Sequence, residues 1–163
     1  MADFKPISLC NLIYKIISKV LTNRLKLILP QLIAPTQSAF VPGRLITDNM
    51  LVAYETLHAM HIRKKRKKGA LALKLDVSKA YDRVEWSFLK GMMIKLRFPK
   101  VWVDKVMSYV FTPSFSVRIY DKAYGNITPS RGIRQGDHLS PYLFLICAEG
   151  STLLLAKAKF EGR

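Results

Sequence analysis

Near the start of the chain, apolar residues recur at helical spacing. Ile13, Ile16, Ile17, Val20, Leu21 and Ile28 fall on one pattern, with Lys15, Lys19 and Lys26 elsewhere on the wheel. This predicts a helix from about Leu9 to Leu29, ended or kinked by Pro30. Ala34 to Arg44 contains Pro35, Pro42 and Gly43 and reads as a loop. Thr47 is placed to cap a second helix reaching about Ile62. Ala70 to Leu75 has the length and apolar bias of a buried strand ending at Asp76, although Ala and Leu are poor strand formers. Asp82-Arg83-Val84-Glu85 has the form of a capping box, which would open a helix from about Trp86 to Leu96. Pro99 breaks that helix, and another is expected over Val101 to Val110.

After Pro113 the period changes. Phe115, Val117 and Ile119 alternate with Ser116, Arg118 and Tyr120, which predicts a half-buried strand. Asp121 to Gly125 should turn it back into a hairpin. Pro129 to Asp137 has two glycines, two arginines and no period, so it is expected to be irregular. A last helix should start at Ser140-Pro141, with Ser as N-cap and Pro at the first helical position, and run through Phe144, Ile146 and Leu153. Lys157 to Arg163 reads as a short polar end. The order helix, helix, strand, helix, helix, hairpin, helix is an α+β pattern.

Composition bounds this picture without choosing a function. The chain has 163 residues, half of them hydrophobic, enough for one domain with a buried core. Its 27 Lys and Arg against 11 Asp and Glu give a net charge of +16 and a pI near 10.1. Such an excess points to a polyanion: nucleic acid first, an anionic membrane surface second. A ribosome-associated protein would show the same balance. Six adjacent cations, Arg63 to Lys68, repel one another and read as a solvated loop that can also touch nucleic acid and permits nuclear entry. Cys10 and Cys147 sit in apolar, helix-like runs and read as buried small hydrophobes. The first residues lack the basic-then-apolar form of a secretory signal, and Lys15, Lys19, Arg24 and Lys26 interrupt the longest apolar stretches. An intracellular, reducing compartment and no membrane partner are expected. His58 and His61 lie three apart with no third ligand nearby, and read as surface or core residues.

Three features could carry chemistry. Asp76 would be a carboxylate held at the end of an apolar strand, although residues so placed are more often turn formers than metal ligands. Arg131 and Arg134, with Gly132 between them and Gly136 beyond, would let backbone approach a phosphate or base closely, with the Gln135 amide beside them. Tyr81 could pack against a bound sugar, or simply be a core aromatic.

The stretch Leu73-Lys74-Leu75-Asp76-Val77-Ser78-Lys79-Ala80-Tyr81-Asp82-Arg83-Val84-Glu85-Trp86 resembles the first catalytic motif of plant non-LTR retrotransposon reverse transcriptases. Arg131-Gly132-Ile133-Arg134-Gln135-Gly136-Asp137-His138-Leu139-Ser140-Pro141-Tyr142-Leu143-Phe144 resembles the next. Pro6 to Asn11 and Gln37 to Arg44 look like the family's finger motifs, so four motifs stand in order over nearly the whole chain. The resemblance implies a LINE-type RNA-directed DNA polymerase, with an RNA template, a DNA primer and a deoxynucleotide as partners. It implies partial fingers over residues 1–69 and a partial palm over 70–163, in a right-hand polymerase fold. Asp76 and the Val77 carbonyl would bind Mg²⁺. Tyr81 would lie under the incoming sugar, and Gln135 and Gly136 would hold the nucleotide. Arg44, Arg131 and Arg134 would contact nucleic acid. Asp82 matches a family position but is better read as a helix cap paired with Glu85.

The family's other two catalytic aspartates stand in a Tyr/Phe-Ala-Asp-Asp hairpin beyond the last helix, and this sequence contains no Asp-Asp dipeptide. Two-metal nucleotidyl transfer needs more than one motif carboxylate. Little or no polymerase activity is therefore expected from these residues alone, together with an open sheet edge and exposed apolar surface. Smaller departures are His138 in place of the usual proline, Ile119-Tyr120-Asp121 in place of an Asn-Gly turn, and Lys5 in place of a common arginine.

Overall fold

Asn11 starts the first helix: its Oδ1 accepts from the Tyr14 amide at 2.9 Å. In the computed structural model, which describes residues 8–62 and 71–162, this helix is α1 (Leu12–Leu32). It is followed by α2 (Ile46–Ile62), α3 (Trp86–Lys95), α4 (Lys100–Phe111), β1 (Phe115–Ile119), β2 (Lys122–Ile127) and α5 (Ser140–Phe160). The α+β class stands, as a helical assembly with one small sheet. The basic run at 63–69 and the first residues of the Pro6–Asn11 motif lie outside the described residues.

One apolar cluster joins four helices. Leu25 and Leu29 of α1, Leu89 and Met93 of α3, Val106 of α4, and Leu143 and Ile146 of α5 are almost fully buried in it. Full burial of each such side chain is worth about 1.5–3 kcal/mol. The first half of α5 is enclosed on most sides, with Tyr142, Leu143, Leu145, Ile146 and Cys147 all buried. At Gly150 the helices α3 and α5 come close enough that a Cβ would stand 2.8 Å from Phe88 Cζ. Helix α2 buries none of its residues.

Several local expectations give way to tertiary demands. Pro30 neither ends nor breaks α1, which runs two residues further to Leu32. The carbonyls this helix end leaves without partners are taken by a side chain: Arg44 donates to Pro30 O at 3.1 Å and Ile33 O at 3.0 Å. Thr47 is not a cap, because α2 already begins at Ile46. Asp82 and Glu85 form no capping box. The Asp82 amide closes a turn on Lys79 O, the N-cap of α3 is Glu85 without a side-chain bond, and neighbouring carbonyls are engaged by a distant loop. Helix α3 ends before Pro99 matters, in a Schellman arrangement: Phe98 N donates to Met93 O and Arg97 N to Ile94 O, with Arg97 at φ 61°. Ser140 is the first residue of α5 and Leu139 its N-cap.

The expected buried strand before Asp76 is not one. Residues 71–77 belong to no described strand, and Leu71, Leu73 and Leu75 are each about three-quarters or more exposed. A strand needs a neighbour for its amides and carbonyls. Among the described residues the sheet has two members, β1 and β2, and neither pairs with this segment. The hairpin itself is also more exposed than its alternation implied, with only Phe115 of β1 partly covered. Its turn is tighter than expected: Tyr120 (φ 44°) and Asp121 (φ 63°) are both left-handed, which joins Ile119 to Lys122 by two residues. A bulge between Phe115 and Val117, opposite Gly125 at φ 70°, takes up one extra residue of β2.

Candidate nucleotide and nucleic-acid site

The irregular segment 129–137 docks on the turn that follows Asp76. Gly132 N donates to Val84 O at 2.8 Å, and Ile133 N to Tyr81 O at 2.9 Å. Trp86 Nε1 donates to Gly132 O at 2.7 Å from the start of α3. Gly132 has φ 89°, and a Cβ there would lie 3.2 Å from both Asp82 Cα and Asp82 O. Glycine is required on both counts, since L-residues avoid this backbone region and main chain cannot step aside. The N-terminal motif meets the same loop, with Ser8 N donating to Gln135 O at 3.1 Å.

Beside the loop lies an open cleft of about 950 Å³, lined by Trp86, Phe115, Arg118, Arg131, Arg134 and Gln135 among others. Arg131 is solvent-facing and 3.4 Å from Glu85, an exposed pair that contributes little stability and can be exchanged for a phosphate. Arg134 is turned inward. Its guanidinium carbon lies 4.5 Å from the Tyr14 ring centroid, 5.1 Å from Tyr109 and 6.0 Å from Phe115. Its Nη1 reaches Cys10 Sγ at 3.6 Å, and its Nη2 is buried without a partner among the described residues. Gln135 is half-buried at the cleft, and Gly136 (φ 95°) is exposed and not part of its lining.

Tyr81 is half-buried, its ring 5.4 Å from Phe144 and tilted by 47°. Burial raises its pKa. Asp76 and Val77 are exposed and stand outside the cleft lining. Among the described residues, no group of three or more His, Cys, Asp or Glu side chains converges as a metal site. Arg44 does not line the cleft. It donates to Ala34 O (2.6 Å), Gln37 O (2.7 Å), Pro30 O and Ile33 O, which commits four of its five N–H donors. The buried Glu149 carboxylate secures the same turn by accepting from Ala34 N at 3.1 Å.

The structure thus joins Tyr81, Arg131, Arg134 and Gln135 around one docked loop, and leaves Asp76, Val77 and Arg44 apart from it. It also adds residues that sequence reasoning missed. Tyr109, buried in α4, donates to Asp137 Oδ2 at 2.8 Å. Nothing in the pattern of α4 separates Tyr109 from an ordinary core aromatic. Asp137 and Trp86 stand inside the motif segments, where sequence pattern alone assigns them no role. Cys147 is buried as expected, and burial pushes its thiol pKa up to about 12. Cys10 is partly exposed. His58 and His61 are exposed on α2, as one of their two readings held.

A family model described as reverse transcriptase (RNA-dependent DNA polymerase) matches residues 1–159. The chain belongs to the reverse transcriptase family. It is 34% identical over 157 residues to the transposon TX1 uncharacterized 149 kDa protein of Xenopus laevis, covering 95% of this chain and 12% of that protein. It is 31% identical over 145 residues to a retrovirus-related Pol polyprotein from type-1 retrotransposable element R2 of Nasonia vitripennis, covering 88% and 14%. It is 29% identical over 142 residues to the corresponding polyprotein from type-2 retrotransposable element R2DM of Drosophila melanogaster, covering 87% and 13%. The chain therefore resembles the reverse transcriptase region of non-LTR retrotransposon polyproteins and spans 12–14% of the length of these three relatives. No described helix is long and apolar enough to cross a membrane.

Proposed function

We propose that these residues form the fingers (1–69) and the first part of the palm (70–163) of a right-hand, LINE-type reverse transcriptase. In this reading the chain takes an RNA template, a DNA primer and a deoxynucleoside triphosphate. The observation that carries it is the bonding of Gly132 and Ile133 to the carbonyls of Val84 and Tyr81, which joins the two motif segments into one unit. Tyr81 then lies under the incoming sugar, and Gln135 and Gly136 hold the nucleotide. Arg131 makes the direct phosphate contact. Arg44 and Arg134, with guanidiniums turned to carbonyls and rings, add charge to the field that attracts the strand. The basic excess fits a setting rich in nucleic acid, and an intracellular, nuclear location is proposed.

Asp76 and the Val77 carbonyl would hold Mg²⁺, and both are hard oxygen donors of the kind that ion prefers. Bound there, the ion would supply charge neutralisation at the reacting oxygens. Two protein donors fall short of a metal pair, so these residues alone are proposed to support little extension. The exposed position of Asp76 outside the cleft lining favours a second reading, a non-catalytic nucleic-acid-binding remnant that needs the +16 charge and not Asp76.

Primer extension on poly(rA) with oligo(dT), dTTP and Mg²⁺ separates the two, with Asp76→Asn as control. The expected result is salt-sensitive template binding with little extension in either protein. Extension lost on substitution would establish a working site at Asp76. If neither protein binds the template, both readings fall.

A further inference from the structure

Tyr109 grips both flanks of the Gln135-Gly136 pair. Its hydroxyl donates to Asp137 Oδ2 at 2.8 Å, where Asp137 is 7% exposed. Its ring faces the Arg134 guanidinium at 5.1 Å. Tyr14 extends the support, 4.5 Å from Arg134 and 5.5 Å from the Tyr109 ring. Residues 134 and 137 are thus both tied to α4, and the two residues between them span fixed ends. Without those ties Gly136, at φ 95°, would give the segment wide conformational freedom.

We propose that Tyr109 is a positioning residue for the nucleotide-holding loop, acting through Asp137 on one side and Arg134 on the other. The proposal rests on the reading of Gln135 and Gly136 given above. A buried carboxylate requires a strong donor, and the tyrosine hydroxyl is one. Burial, followed by the bond to Asp137, drives the Tyr109 pKa upward, so the hydroxyl keeps its proton at physiological pH. The Arg134 charge opposes that shift.

Two substitutions separate the contacts. Tyr109→Phe keeps the ring beside Arg134 and deletes the donor. Asp137→Asn keeps an amide oxygen able to accept from Tyr109, so it serves as the conservative rescue, and Asp137→Ala removes the acceptor. Amide hydrogen exchange in residues 133–137 is compared with exchange in α3, α4 and α5 of the same chain, alongside dTTP binding by equilibrium dialysis with Mg²⁺. In Tyr109→Phe and Asp137→Ala, loop exchange should rise roughly ten- to a hundredfold, with dTTP binding weakened in step and the helices unchanged. Asp137→Asn should stay near the parent. Unchanged loop exchange in Tyr109→Phe would overturn the proposal, as would loop and helices loosening together in all three variants. If the parent chain binds no dTTP, the functional reading fails by itself, and loop exchange still decides whether Tyr109 positions this segment.

Discussion

Gly132→Ala tests the docking that brings the two motif segments together. An L-residue held at φ 89° costs about 1–2 kcal/mol. The new Cβ would also press on Asp82 Cα and Asp82 O at 3.2 Å and on Tyr81 O at 3.3 Å, all main-chain atoms. The loop must lift, and the bonds from Gly132 N and Ile133 N then stretch or break, each worth about 1 kcal/mol. The sum is roughly 3 kcal/mol, or a fall in Tm of roughly 6–12 °C for a chain of this size. Gly43→Ala is the matched control. Gly43 also has a left-handed backbone, φ 80°, but a Cβ there meets nothing within 4 Å, so it should cost only the first portion. Thermal melting would be followed by tryptophan emission, because the Trp86 indole donates to Gly132 O and should become more hydrated as the loop lifts. Equal Tm losses for the two variants, with unchanged Trp86 emission, would refute the claim that close main-chain approach holds the loop.

Arg44→Lys should destabilise the 34–44 turn by about 1–3 kcal/mol, since an ammonium cannot reproduce four guanidinium bonds to carbonyls. Faster proteolytic cleavage in that turn at unchanged net charge would show it, and parent-like resistance would contradict it. Alkaline stability gives a second check. Cys147, raised by burial from 9.0 to about 12, is neutral in the folded chain where the unfolded thiol ionises. Its contribution is fully present below pH 9.0 and is lost as pH rises toward about 12, by up to about 1.4 kcal/mol per pH unit. Tyr109, raised by burial and by Asp137, adds a loss of the same sign starting from its ordinary value of 10.0. Urea midpoints across that window should fall less steeply in Cys147→Ala, and parallel slopes would count against the burial argument.

The helices α3 and α4, the hairpin and the irregular loop were legible in the order of residues because their signals are local. Periodicity, a proline or a run without period acts over a few positions. The four motifs were legible too, as an ordered set, and they pointed to the reverse transcriptase family that the whole-chain match establishes. Caps and burial were less legible. Asp82 looks like a cap until Gly132 and Ile133 occupy the main chain around it, and no local pattern shows that the Arg44 donors meet the carbonyls at the end of α1. The segment leading to Asp76 has the composition of a strand, yet strand formation requires a second strand in register, which no short window encodes. The sequence by itself determined the family, the candidate residues, the helices and the hairpin. Only the tertiary structure decided which of those residues meet, because Tyr109 reaches Asp137, and Trp86 reaches Gly132, across separations that local pattern does not sense.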